Sequence, residues 1–213
     1  MVNGMITTLC FSVCGYFNYP IIKNNIFKNF IEKVSTAEQL SVEIEFIESD
    51  RNSVNHTLLF ELGNYSSFKS TNFNLLKSDS YTPMSIFFRN KYNVSSEIVV
   101  KPVDNNGFEI DYMLEKEELD DCAEKNSVIQ EIARIFFETL QPLYGCCGTE
   151  MFTDGMGHIE EDDIINNKFY NIGYIGFHTM DKFDFISNTC NIEKFSTVPL
   201  QDGYMYINKN MLS

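Results

Sequence analysis

From residue 6 to residue 17 the chain is mostly apolar, β-branched or aromatic, which predicts a mostly buried strand. After Pro20 the period lengthens. Ile22, Ile26, Phe27, Phe30, Ile31 and Val34 recur at helical spacing, with Lys23, Asn24, Lys28, Asn29 and Lys33 between them, the pattern of an amphipathic helix. Leu40, Val42, Ile44 and Phe46 alternate with Ser41, Glu43 and Glu45, so a strand with one wet face is expected there. Residues 57–62 give a further short strand, and the Ser/Asn/Lys-rich stretch 63–80 a loop with at most one turn of helix. Strands are expected at 84–88, 97–103 and 108–114. Between the last two, Asp104-Asn105-Asn106-Gly107 is a hairpin signal, because Asn and Gly tolerate positive φ.

The longest helical pattern covers 117–140. Its start carries Glu117, Glu118, Asp120 and Asp121, which complement the positive end of the helix dipole. Its second half presents Val128, Ile129, Ile132, Ala133, Ile135, Phe136 and Leu140. Pro142 stops it, and Gly145 and Gly148 mark an irregular stretch beyond. A weaker helix is expected at 160–168, a strand at 169–180 and a last short strand at 203–208. No linker and no repeat interrupts the chain. Helices bracket runs of strands and do not alternate with them, so a doubly wound parallel sheet is disfavoured. The expected fold is a single α+β domain over 1–213, mainly antiparallel sheet with two main helices packed on it; a subdivision near 115 is the alternative.

Composition supports a folded core and narrows the partners. Of 213 residues, 44% are hydrophobic and 22% charged, which excludes disorder driven by low hydrophobicity. Sixteen Lys and Arg stand against 30 Asp and Glu, a formal charge of −14. That field repels phosphate backbones and anionic lipid, which argues against nucleic-acid and membrane partners. It favours encounter with a basic protein, although acidity also serves solubility alone. The first basic residue is Lys23, so no basic region precedes the apolar start as in a secretory signal, and no run reaches the ~18 residues of a membrane span. A soluble, cytoplasmic protein is expected.

Catalytic motifs are missing from the sequence. There is no G-x-S-x-G elbow, no phosphate-binding Gly-rich loop and no C-x-x-C among the six cysteines at 10, 14, 122, 146, 147 and 190. Reduced, buried thiols are the expected state. Cys146 and Cys147 are adjacent, which strains a mutual disulfide, and the end of a helix raises a thiol pKa and does not activate it. Of three histidines, His158 is the metal-ligand candidate, because Glu160, Glu161, Asp162 and Asp163 follow it. Four consecutive carboxylates point in different directions on helix or strand, and helix N-terminal charge explains them without a metal. No cofactor is expected.

Two acidic clusters remain, one comprising Glu115, Glu117, Glu118, Asp120, Asp121 and Glu124, the other Asp154 and 160–163. Both read as solvated helix ends, or as a patch complementary to a basic surface. Aromatic anchors supply most of the affinity in such interfaces, and Tyr144, Phe152, Tyr170 and Tyr174 lie near the second cluster. The candidate partner-binding patch is therefore Tyr144, Phe152, Asp154, Glu160, Glu161, Asp162, Asp163, Tyr170 and Tyr174.

An apolar helix that runs into Pro142-Leu143-Tyr144-Gly145-Cys146-Cys147-Gly148-Thr149-Glu150 resembles bacterial immunity-type proteins of polymorphic and contact-dependent toxin systems. The tail Val198-Pro199-Leu200-Gln201-Asp202-Gly203-Tyr204-Met205-Tyr206-Ile207 is similar to their closing strand, so the resemblance covers about the last 90 residues. It implies a non-enzymatic protein that neutralises a cognate toxin by direct binding, with Pro142, Tyr144, Gly145 and Gly148 as scaffold. The alternatives are a small enzyme built on His158 and its carboxylates, or an acidic anti-defence protein that mimics DNA.

Overall fold

The computed structural model describes residues 9–17, 26, 29–30, 33–34, 44–48, 56–60, 84–90, 92–102, 108–149, 175–179 and 195–210. Among the described residues ten strands form one sheet: β1 (Cys10–Phe17), β2 (Ile44–Glu48), β3 (His56–Phe60), β4 (Met84–Arg89), β5 (Ser95–Pro102), β6 (Phe108–Glu115), β7 (Tyr144–Thr149), β8 (Ile175–Thr179), β9 (Phe195–Leu200) and β10 (Gly203–Asn208). Their order is β3-β2-β4-β5-β6-β1-β7-β8-β10-β9, and every pairing is antiparallel. The fold is α+β, as the pattern predicts. Strands from both sides of residue 115 share the sheet, because β1 pairs with β6 on one flank and β7 on the other.

Central β1 is buried on both faces. One face carries Phe11, Val13, Gly15 and Phe17, and it packs under helix α2 (Lys125–Leu140). That helix buries Val128, Ile129, Ile132, Ala133, Ile135, Phe136, Phe137 and Leu140, each of the larger ones contributing about 1.5–3 kcal/mol of apolar burial. Residues 26, 29–30 and 33–34 are helical, within the expected first helix, and Phe30 meets Phe136 edge to face at 5.5 Å. Phe137 stacks on Phe177 of β8 at 4.9 Å, so one aromatic chain links helix and sheet.

Three expectations are corrected. The helix expected at 117–140 is two helices, α1 (Lys116–Asp120) and α2, separated by a turn at Asp121–Glu124. Leu119 is the buried anchor of α1, and from Asp120 to Ser127 no apolar period ties a continuous helix to the core. The stretch after Pro142, expected to be irregular, is strand β7, buried beside β1. Gln141 ends α2 in the left-handed conformation (φ 50°, ψ 59°), its N–H bonded to Phe137 O, and the chain turns straight into the sheet. The tail holds one more strand than expected: β9 pairs with β10 across a two-residue turn, Gln201-Asp202. Pro199 is accommodated there because β9 is an edge strand among the described residues.

The hairpin signal at 104–107, the loop at 63–80 and the helix at 160–168 lie outside the described residues. Among the described residues, no helix is long and apolar enough to cross a membrane.

Candidate functional site

The sheet face opposite α2 is where chemistry-bearing side chains gather. Directly opposed residues of an antiparallel pair project to the same face, so the register defines rows across it. One row runs through Glu109, Tyr16, Tyr144 and Tyr204. The next runs through Val99, Asp111, Cys14, Cys146, Gly176 and Tyr206. Ser12, Glu109, Asp111 and Tyr206 are fully buried, and Glu97 nearly so. Buried carboxylates are costly to desolvate, so a face with three of them is a functional candidate as well as a device that fixes register.

At the centre of the second row the Sγ atoms of Cys14 and Cys146 lie 3.1 Å apart, and the Cys14 thiol also approaches Cys146 O at 3.7 Å. The hydrogen bond to Cys146 and burial push the Cys14 thiol well up, with the nearby carboxyl groups of Asp111 and Glu109 adding to the effect. Cys147 faces the α2 side, and burial pushes it up as well. Neither is a thiolate nucleophile at neutral pH. The five described cysteines are in the thiol form, four of them buried. Among the described residues, no group of three or more His, Cys, Asp or Glu is arranged to hold a metal ion.

A second, exposed feature forms around α1. Glu115 caps this helix by accepting from Glu118 N at 2.7 Å. Glu118 itself is a strut: it takes the Arg89 guanidinium on both oxygens (3.0 and 3.3 Å) and Ser95 N–H at 2.6 Å. Asp120 is bridged by Lys116 and Lys125. The turn this corner rests on is built by Asn90, whose side-chain oxygen accepts from the N–H groups of Tyr92 and Val94, while Asn93 sits at φ 63°. Half of the first acidic cluster is thus structural, and Glu117, Asp121 and Glu124 are exposed carboxylates outside that cap, strut and ion pair.

Of the patch expected from sequence, Tyr144 lies in β7, 5% exposed and stacked on Tyr16 at 5.2 Å. Phe152, Asp154, His158, Glu160, Glu161, Asp162, Asp163, Tyr170 and Tyr174 lie outside the described residues. The Cys14–Cys146 contact and the buried Glu109 and Asp111 were not anticipated. Their signal was present in the alternation of β6, but pairing Cys14 with Cys146 requires knowing that β7 is a strand.

No protein-family model matches the chain, and no curated protein matches it. Among solved structures the fold is similar to that of the Pseudomonas aeruginosa T6SS protein PA0821, with a TM-score of 0.50 and 9% identity over 93% of this chain and 68% of that one. The likeness is one of fold.

Proposed function

We propose that this chain is a non-enzymatic acidic binding protein of a bacterial toxin system, and that it neutralises a cognate toxin by direct protein–protein contact. The observation that carries the reading is the fold it has in common with a T6SS protein, the name of which ties that neighbour to bacterial secretion. The charge of −14 supports it, since an acidic surface speeds encounter with a basic toxin domain. The exposed carboxylates Glu117, Asp121 and Glu124 fit the same role, as do Glu160, Glu161, Asp162 and Asp163 in the sequence.

The test is a growth assay in which the neighbouring upstream reading frame is expressed with and without this chain. Toxicity relieved by co-expression, with a complex that survives size exclusion, is the expected result. A harmless neighbour, or one whose toxicity this chain leaves untouched, overturns the reading.

A further inference from the structure

We propose that Cys14 and Cys146 are an intramolecular disulfide site, closed when the chain folds in the presence of a low-molecular-weight disulfide such as oxidised glutathione. The two residues are register partners in the antiparallel β1–β7 pair. Such partners have Cα atoms about 4.5–5.5 Å apart, inside the window a disulfide needs. Their sulfurs already point at each other at 3.1 Å, from positions 132 residues apart in sequence.

Geometry also selects this pair over the others. Cys147 projects to the α2 face, where it belongs to the apolar core. Cys10 is the register partner of Glu115, four residues along β1 from Cys14. Cys122 sits in the turn between α1 and α2, against Glu124.

The step is two successive exchanges. A thiolate of one cysteine attacks a sulfur of oxidised glutathione, forming a mixed disulfide and expelling glutathione thiolate. The second cysteine, deprotonated, then attacks the protein sulfur of that mixed disulfide; the protein S–S bond forms and the second glutathione leaves. The protein loses two electrons and two protons, and one oxidised glutathione becomes two reduced ones. Cys14 and Cys146 are fully buried in the folded chain, and both burial and the neighbouring carboxylates disfavour a Cys14 thiolate. Exchange therefore belongs to the folding chain, before β1 and β7 are covered, and the finished protein retains the redox state in which it folded. The inference is independent of toxin binding.

The protein is unfolded in urea with dithiothreitol, then refolded either in reduced/oxidised glutathione or in dithiothreitol. The expected product of the first is one intramolecular disulfide, lighter by two hydrogens, mapped by non-reducing peptide analysis to Cys14–Cys146. Its urea midpoint lies above that of the reduced form, and the shift vanishes on reduction after unfolding. Cys147→Ala retains the linkage and Cys14→Ser loses it. A wild-type chain that refolds without a disulfide, that links another pair (Cys190 included), or whose linked form is no more stable than the reduced one overturns the proposal.

Discussion

Gly15 and Gly145 face each other directly across β1 and β7, and the rings of Phe136 and Phe137 occupy the space their absent side chains leave. A Cβ on Gly145 would meet Phe137 Cε1 at 2.6 Å and the Cys14 carbonyl oxygen at 2.7 Å. A Cβ on Gly15 would meet Pro142 Cβ at 2.8 Å and Phe136 Cε1 at 2.9 Å. The helix reaches the sheet because two strands give up their side chains at one row.

Gly145→Ala is accordingly expected to destabilise the fold by about 1–3 kcal/mol, because one of its clashes is with backbone of the neighbouring strand. Gly15→Ala is expected to destabilise as well, since Pro142 Cβ is held by its ring and Phe136 is fully buried. Urea unfolding decides, and a Gly145→Ala protein as stable as wild type would contradict the packing described.

The same contact predicts non-additivity. Phe137→Leu alone loses ring packing against Phe177, but in the Gly145→Ala background it also removes the aromatic half of the clash. The double variant should be more stable than the sum of the single losses implies, by about 0.5 kcal/mol or more. Strict additivity would place the strain elsewhere.

Glu118 gives a pH prediction. Burial works against its charge, but the hydrogen bonds from Ser95 and the Arg89 guanidinium outweigh this and hold its carboxyl below the ordinary value of 4.5. A carboxyl with a depressed folded pKa binds fewer protons folded than unfolded. Its stabilisation is therefore complete above about pH 4.5 and is lost as pH falls through the folded value. Glu118→Gln should cost about 1 kcal/mol at neutral pH and flatten the acid limb of the stability profile. An unchanged profile below that pH would show that Glu118 is not a strut.

Ser12 is fully buried, and its hydroxyl has no hydrogen-bond partner among the described residues. An unmet buried hydroxyl costs on the order of 1–3 kcal/mol, so Ser12→Ala should be neutral or stabilising. A loss above about 1 kcal/mol in urea unfolding would mean that the hydroxyl is satisfied.

How much of this was legible in the sequence depends on whether a local pattern or a distant neighbour decided the outcome. The strand at Gly203–Asn208 and the end of α2 before Pro142 were readable because period, turn chemistry and proline act within a few residues. β7 was not readable. Gly145 and Gly148 look like loop residues until α2 lies over the sheet, when Gly145 becomes the residue that lets Phe137 in. In β6, Phe108, Ile110, Tyr112 and Leu114 alternate with Glu109, Asp111 and Met113. Such alternation ordinarily marks a solvated face, yet Glu109 and Asp111 are buried, because burial on that face is decided outside the strand's own sequence pattern. The acidic cluster at 115–124 reads as one charged surface, whereas Glu115, Glu118 and Asp120 are committed to a cap, a strut and an ion pair.

That division of labour shapes the test of the acidic patch. Reversing charge at Glu160, Glu161, Asp162 and Asp163 removes carboxylates that sequence places beside aromatic anchors. With the partner in hand, association at low salt should slow by about tenfold or more and converge on wild type as salt rises, with dissociation little changed, because rim charges steer encounter. Reversal at Glu117, Asp121 and Glu124 tests the α1 corner in the same way without touching Glu118, whose loss would confound binding with stability. The set that slows association marks the side of the protein that meets the proposed partner. If neither set alters the low-salt rate, these two clusters do not steer encounter and the acidic-patch part of the proposal fails.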